Sequence, residues 1–231
     1  MQHTTVLGHL ALHYGPGDEA SARRLLELLG CTLVDNGPAP GVDGFCTVVV
    51  DQGTANHADN VMFLSGLPAE QAAVEAAVRN ALGLGTALDS TDLDGGTGAP
   101  LATALQKRAA NAPELFSHIG LRFHSLDRLE TVLADLERAA APGGELEGRV
   151  RLVKYRARPG VEAAIDERMA ASPAFDGSEQ PAFVNHWIQC FVQTDLCGYG
   201  LLALGSTFEL DYVFDGFFGT VPSFGTKPAA P

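Results

Sequence analysis

The sequence predicts an α+β fold built from two tandem βαβββ modules. Three observations carry that prediction. The order strand, helix, strand, strand, strand can be read twice along the 231 residues. GHLALHYG at 8–15 superposes on SHIGLRFH at 117–124, which sets His9 over His118, with helical patterns following both. Clusters of Gly, Pro, Asn and Asp separate the strand-like runs. The length suits one large or two small domains, and an apolar fraction of 46% is enough for a real core. One small sheet cannot bury both faces alone, so the two sheets are expected to curve against one another.

The first module is expected over 1–68. TVLGHLALHYG (5–15) is a short apolar strand that ends in the turn Gly15-Pro16-Gly17. After Asp18, the stretch EASARRLLELLG places Ala22, Leu25, Leu26 and Leu29 at helical spacing, and Gly30 is set to close the helix. CTLVDNG (31–37), FCTVVVD (45–51) and NVMFLSG (60–66) are the next three strands. Residues 69–113 form a helical linker. AEQAAVEAAVRNAL (69–82) stops at Gly83 and Gly85, a polar TDLDGGTG stretch follows, and 100–113 is a second helix.

The second module is expected over 114–214. LFSHIGLRFH is its first strand. Ser125 is a suitable cap for a helix with the stripe Leu126, Leu129, Val132, Leu133 and Leu136. RVRLVKYRAR (149–158), NHWIQCFVQTD (185–195) and GLLALGSTFELDYVF (200–214) supply the other strands, with an insert at 160–183 that could serve as a lid. In the tail, 215–231, and just before it stand Phe214, Phe217, Phe218 and Phe224. That much aromatic surface is expected to pack on the domain or on a second copy in a homodimer.

The charge excludes several functions. A net charge of −13, from 28 acids and 15 bases, disfavours binding to nucleic acid. No apolar run reaches the roughly 18 residues of a membrane span. MQHTTVLGHLALHYG lacks the basic start and small-residue cleavage site of a signal peptide, so a cytoplasmic location is expected. Cys31, Cys46, Cys190 and Cys197 form no C-x-x-C pair and read as buried structural thiols.

Two βαβββ modules, each opening with a histidine on its first strand, resemble the vicinal oxygen chelate superfamily of glyoxalases, antibiotic-resistance proteins and extradiol ring-cleaving dioxygenases. HIGLRFHSLDRLETVLADL with TFELDYVF carries the likeness best, and the first module is degenerate. The resemblance implies mixed sheets cupped around a cavity, with metal ligands on the first and last strands of each module. Carried over by position, those ligands are His9, His118 and Glu209, with Asp211 a distant substitute. NVMFLSG offers no ligand at the matching place. Two histidines and one carboxylate suit Fe2+ with open positions for substrate and oxygen. The implied activity is therefore a non-haem Fe2+ ring-cleaving dioxygenase acting on a small phenolic or catecholic substrate.

Around that triad, His13, His186, Tyr155 and Tyr199 are candidates to move protons. His13 shares a strand face with His9, and Arg122 stands at the matching place in the second module. Arg122 and Trp187 are candidates to hold the substrate, Arg122 as a fixed cation for a substrate carboxylate. His3, His57 and His124 read as solvated. Two other functions stay open. One is a lyase or isomerase using Zn2+, Ni2+ or Mn2+ on the same ligands. The other is a metal-free protein that binds a small molecule. A purely structural module is a third, and it would have no small apolar cavity between its sheets.

Overall fold

The computed structural model describes residues 9–36, 44–50, 61–82, 112–115, 117–178, 182, 186–198 and 206–214. They form nine strands and four α-helices. The first sheet has the order β2-β3-β4-β1-β8 and the second β5-β9-β7-β6.

In the first sheet β1 (His9–Tyr14), β2 (Thr32–Asp35), β3 (Cys46–Val49) and β4 (Val61–Gly66) follow the expected runs. β1 lies parallel to β4, and the other pairs are antiparallel. The second sheet repeats this with β5 (Ile119–Phe123), β6 (Val150–Tyr155), β7 (Trp187–Thr194) and β9 (Ser206–Val213), where β5 lies parallel to β9. Both sheets are therefore mixed, and both place the first and last strands of the module side by side. One element has no counterpart in the expected order. β8 (Cys197–Gly198), just after β7, crosses to the first sheet and pairs with Tyr14 and His13.

Each module's helix packs on one face of its sheet. α1 (Glu19–Leu28) buries Ala22, Leu25, Leu26 and Leu28. The backbone turns left-handed at Gly30, with φ 91°, which stops the helix where glycine is favoured. α2 (Ala69–Leu82) follows β4. α3 (Leu126–Ala140) starts at Ser125, whose hydroxyl accepts from the Arg128 backbone N–H at 3.3 Å, and it buries the expected leucine stripe. α1 and α3 touch each other, and one apolar core runs through both modules. Asp18 does not cap α1 with its side chain. It instead receives Arg149 at 3.0 Å, and Arg149 also reaches Asp195 at 2.8 Å, tying the modules together. Arg24 adds a second tie to Glu145 at 2.7 Å.

The described part of the insert packs with the helices rather than as the lid that its length suggested. α4 (Ala163–Ala170) and a short 3-10 turn at Pro173–Phe175 dock on the helix side of the second sheet. Ile165, Met169 and Phe175 enter the common core, because burial of these apolar groups outweighs leaving them in water. Arg168 fixes the docking through both oxygens of Glu130 (2.9 and 2.8 Å) and through Asp127 (2.9 Å), and Ser172 also bonds Glu130. The chain returns past the edge of β6, where the Ala182 N–H donates to the Arg156 carbonyl at 2.7 Å. Among the described residues no helix is long and apolar enough to cross a membrane. All four cysteines are buried and free. The second helix of the linker and the aromatic tail lie outside the described residues.

Candidate functional site

Side-chain alternation divides the second sheet into an apolar and a polar face. Phe208, Leu210, Ile188, Cys190, Val192 and Val150 point to the helices and belong to the core. The register then puts Gly120 beside Glu209, Arg122 beside Asp211, Gln189 opposite Asp211, Phe191 opposite Glu209 and Tyr155 opposite Gln189, all on the other face. A central strand normally carries no such polar row unless the polar groups meet partners.

They do meet partners. His118 Nε2 lies 2.8 Å from Glu209 Oε2. Gln189 Nε2 donates to Glu209 Oε1 at 2.6 Å. Asp211 hydrogen-bonds Glu209 as well, and burial, the Glu209 charge and that bond raise its carboxyl pKa to about 8, with Arg122 opposing. Glu209 and Asp211 are only 6% and 7% exposed, while the His118 side chain keeps 28% of its surface. The carboxyl pair is thus enclosed and the imidazole is reachable. Phe191 forms the floor. Its ring meets His118 edge-on at 5.7 Å and Tyr155 at 5.7 Å.

Arg122 and Trp187 are brought together, with the guanidinium carbon 5.3 Å from the ring centre. That contact holds the cation at the end of the polar row. Tyr155 bonds Glu114 at 3.2 Å, and burial beside that carboxylate pushes the phenol up to about 12, so it stays protonated and serves as a donor. His186 adopts φ 63° just before Trp187 and lies 3.7 Å from Glu162. His124 is exposed. Tyr199, His3 and His57 fall outside the described residues.

The first module turns out differently. His9 is exposed and stacks on Phe63, with ring centres 4.9 Å apart, and Phe63 in turn meets Phe45 at 5.4 Å. His13 bonds Ser65 at 3.1 Å. In register, Phe63 pairs with Ala11 as Glu209 pairs with Gly120, so Phe63 occupies the Glu209 place of the repeat. His118 and Glu209 meet, but His9 does not complete a triad with them. Among the described residues no group of three or more His, Cys, Asp or Glu could hold a metal ion. The described residues thus bring together two of the three ligands that the resemblance implied, His118 and Glu209. The physical reason is local. Aromatic stacking engages the His9 ring, and its own module offers a phenyl ring where a carboxylate is needed.

Gln189, which bonds Glu209, is a residue of this polar row that sequence reasoning did not single out. Its signal is present in WIQCFVQT, where Gln189 and Gln193 share one face of an otherwise apolar central strand. A groove of about 870 Å³ lies elsewhere, lined by Tyr14, Glu19, Arg23, Arg24, Glu27 and Leu67 among others. Its arginines are engaged by Asp35 (2.8 Å) and Glu145 (2.7 Å).

No protein-family model matches this chain, and no curated protein matches it. Among solved structures it is similar to a chain from Ralstonia eutropha JMP134 described as a putative glyoxalase superfamily protein. The TM-score is 0.24 and the identity 16%, over 90% of this chain and 72% of that one. A likeness of that size carries no argument about function, and the strand order and register of the two modules stand on their own.

Proposed function

We propose that this protein is a small-molecule enzyme that works by proton transfer, with the polar face of the second sheet as its site and the His118–Glu209 pair as its acid–base group. The observation that carries this reading is the 2.8 Å contact between a reachable imidazole and an enclosed carboxylate. A carboxylate that accepts from Nε2 fixes the tautomer, so Nδ1 is the atom through which the ring takes up and returns a proton. Arg122, held against Trp187, supplies a cation beside the same floor. Such groups suit a lyase or isomerase reaction on a small oxygenated molecule.

The test is solvent-proton exchange. Small hydroxyketones and phenolic ketones are incubated with the protein in D2O and followed by NMR. Exchange that falls by about 100-fold or more in His118→Ala and Glu209→Gln supports the reading. Saturable binding with no exchange in any variant would identify a binding protein instead. Stoichiometric iron after anaerobic purification, lost in His118→Ala and Glu209→Ala, would restore the ring-cleaving dioxygenase.

A further inference from the structure

Glu209 is saturated by its neighbours. One carboxylate oxygen takes Gln189 and the other takes His118, and Asp211 hydrogen-bonds the same group. Asp211 is not saturated. It is only 7% exposed, yet its Oδ1 is buried with no hydrogen-bond partner among the described residues. A buried acceptor without a donor has lost its water and gained nothing in return, so folds rarely retain one for structural reasons alone.

The atom's surroundings show what would meet it. Asp211 lies beside Arg122 and opposite Gln189, on the face that also carries Phe191, Tyr155 and Trp187. Tyr155 and Phe191 form a small apolar cluster with Ala182, against which Val153 and Trp187 pack. Among the described residues, the face thus sets the unmet Asp211 acceptor beside these aromatic rings.

From this arrangement we infer that Asp211, rather than Glu209, is the carboxyl that meets the ligand, and that the ligand is an aromatic-sized molecule presenting one hydroxyl or N–H donor to Asp211 Oδ1. Glu209 then acts as a positioning residue for both His118 and Asp211. The inference rests on the proposed site, but it does not depend on the site doing proton transfer.

The experiment compares isosteric probes that differ only in the donor. Indole is titrated against benzofuran, and phenol against fluorobenzene, with binding read from NMR shifts of the Phe191 and Trp187 rings. The expected result is saturable binding of indole, phenol or both, about tenfold or more tighter than the matching isostere. Which pair discriminates tells whether the ligand's donor is N–H or hydroxyl. Asp211→Leu keeps the volume and removes the acceptor, so discrimination should vanish. Asp211→Asn, which keeps a carbonyl oxygen and guards against loss of fold, should retain it. Equal binding of donor and isostere, absence of saturable binding, or discrimination that survives in Asp211→Leu overturns the inference. Each of those results leaves the exchange test of His118 and Glu209 standing, so the two failures are distinguishable.

Discussion

His118 Nε2 and Glu209 Oε2 stand 2.8 Å apart, whereas at the same two places of the first module His9 stacks on Phe63 at 4.9 Å. The duplicated frame thus carries a histidine–carboxylate pair in one half and a tilted contact between two rings in the other. The two halves are therefore not equivalent, and the buried polar row lies in the second module.

Removing the two histidines should therefore have unequal effects. His118→Ala is expected to lower proton exchange at the second sheet by about 100-fold or more and to weaken ligand-dependent shifts there. His9→Ala should leave both within about twofold, because among the described residues its ring meets Phe63 in the first module. Parallel NMR titrations check this, and equal losses in the two variants would restore His9 to the site.

The Asp211 carboxyl makes stability depend on pH. Its folded-state pKa is raised to about 8, above the roughly 4 of an unfolded aspartate. Between those values the native state binds a proton that the unfolded chain has released. The contribution is full below the unfolded pKa and is lost as pH rises through about 8. Asp211→Asn cannot titrate. Urea midpoints measured between about pH 5 and 9 should fall more for the wild type than for the variant.

Arg149 joins Asp18 before α1 to Asp195 after β7, and both bonds raise its own pKa. Arg149→Met leaves the well-enclosed Asp195 carboxylate without that partner. A loss of about 2 kcal/mol is expected from urea unfolding. Arg138, exposed and paired with Asp135 on the outside of α3, serves as the control and should change stability by less than about 0.5 kcal/mol.

Leu129 and Leu133 are fully buried in the core shared by both modules. Leu129→Ala or Leu133→Ala should cost about 2–5 kcal/mol. One cooperative transition is expected, because α1 and α3 belong to the same apolar cluster. Two separated transitions would show instead that the modules unfold independently.

Docking of the insert hangs on Arg168. Arg168→Ala should leave Glu130 without its bidentate partner and speed hydrogen exchange in α4. The exchange of β7 and β9 should stay near its original rate, since the insert sits on the helix side of the sheet.

Local patterns made much of the architecture readable in advance. Alternation and turn residues located β1 to β7 and β9, helical spacing gave α1 and α3, and Ser125 announced its cap. The repeat placed His9 over His118 and left NVMFLSG without a ligand, and the register identifies the matching residue as Phe63. These features depend on residues close in the chain or on a pattern that recurs, so a single sequence contains them.

Contacts between distant segments were decided only in the folded chain. β8 pairing with β1, the insert's seat on α3, the clasp of Arg149 and the bond from Gln189 to Glu209 join residues that no local pattern links. Burial made the largest difference at the site. The sequence by itself presented Glu209 and Asp211 as two acids on one strand face. Enclosing them beside Gln189 and Phe191 forces them to share a hydrogen bond, because two bare carboxylates cannot lie in contact away from water. The chain's own letters thus determined which face would be polar. The tertiary structure decided which polar groups pair, and left Asp211 Oδ1 as the acceptor with no described partner.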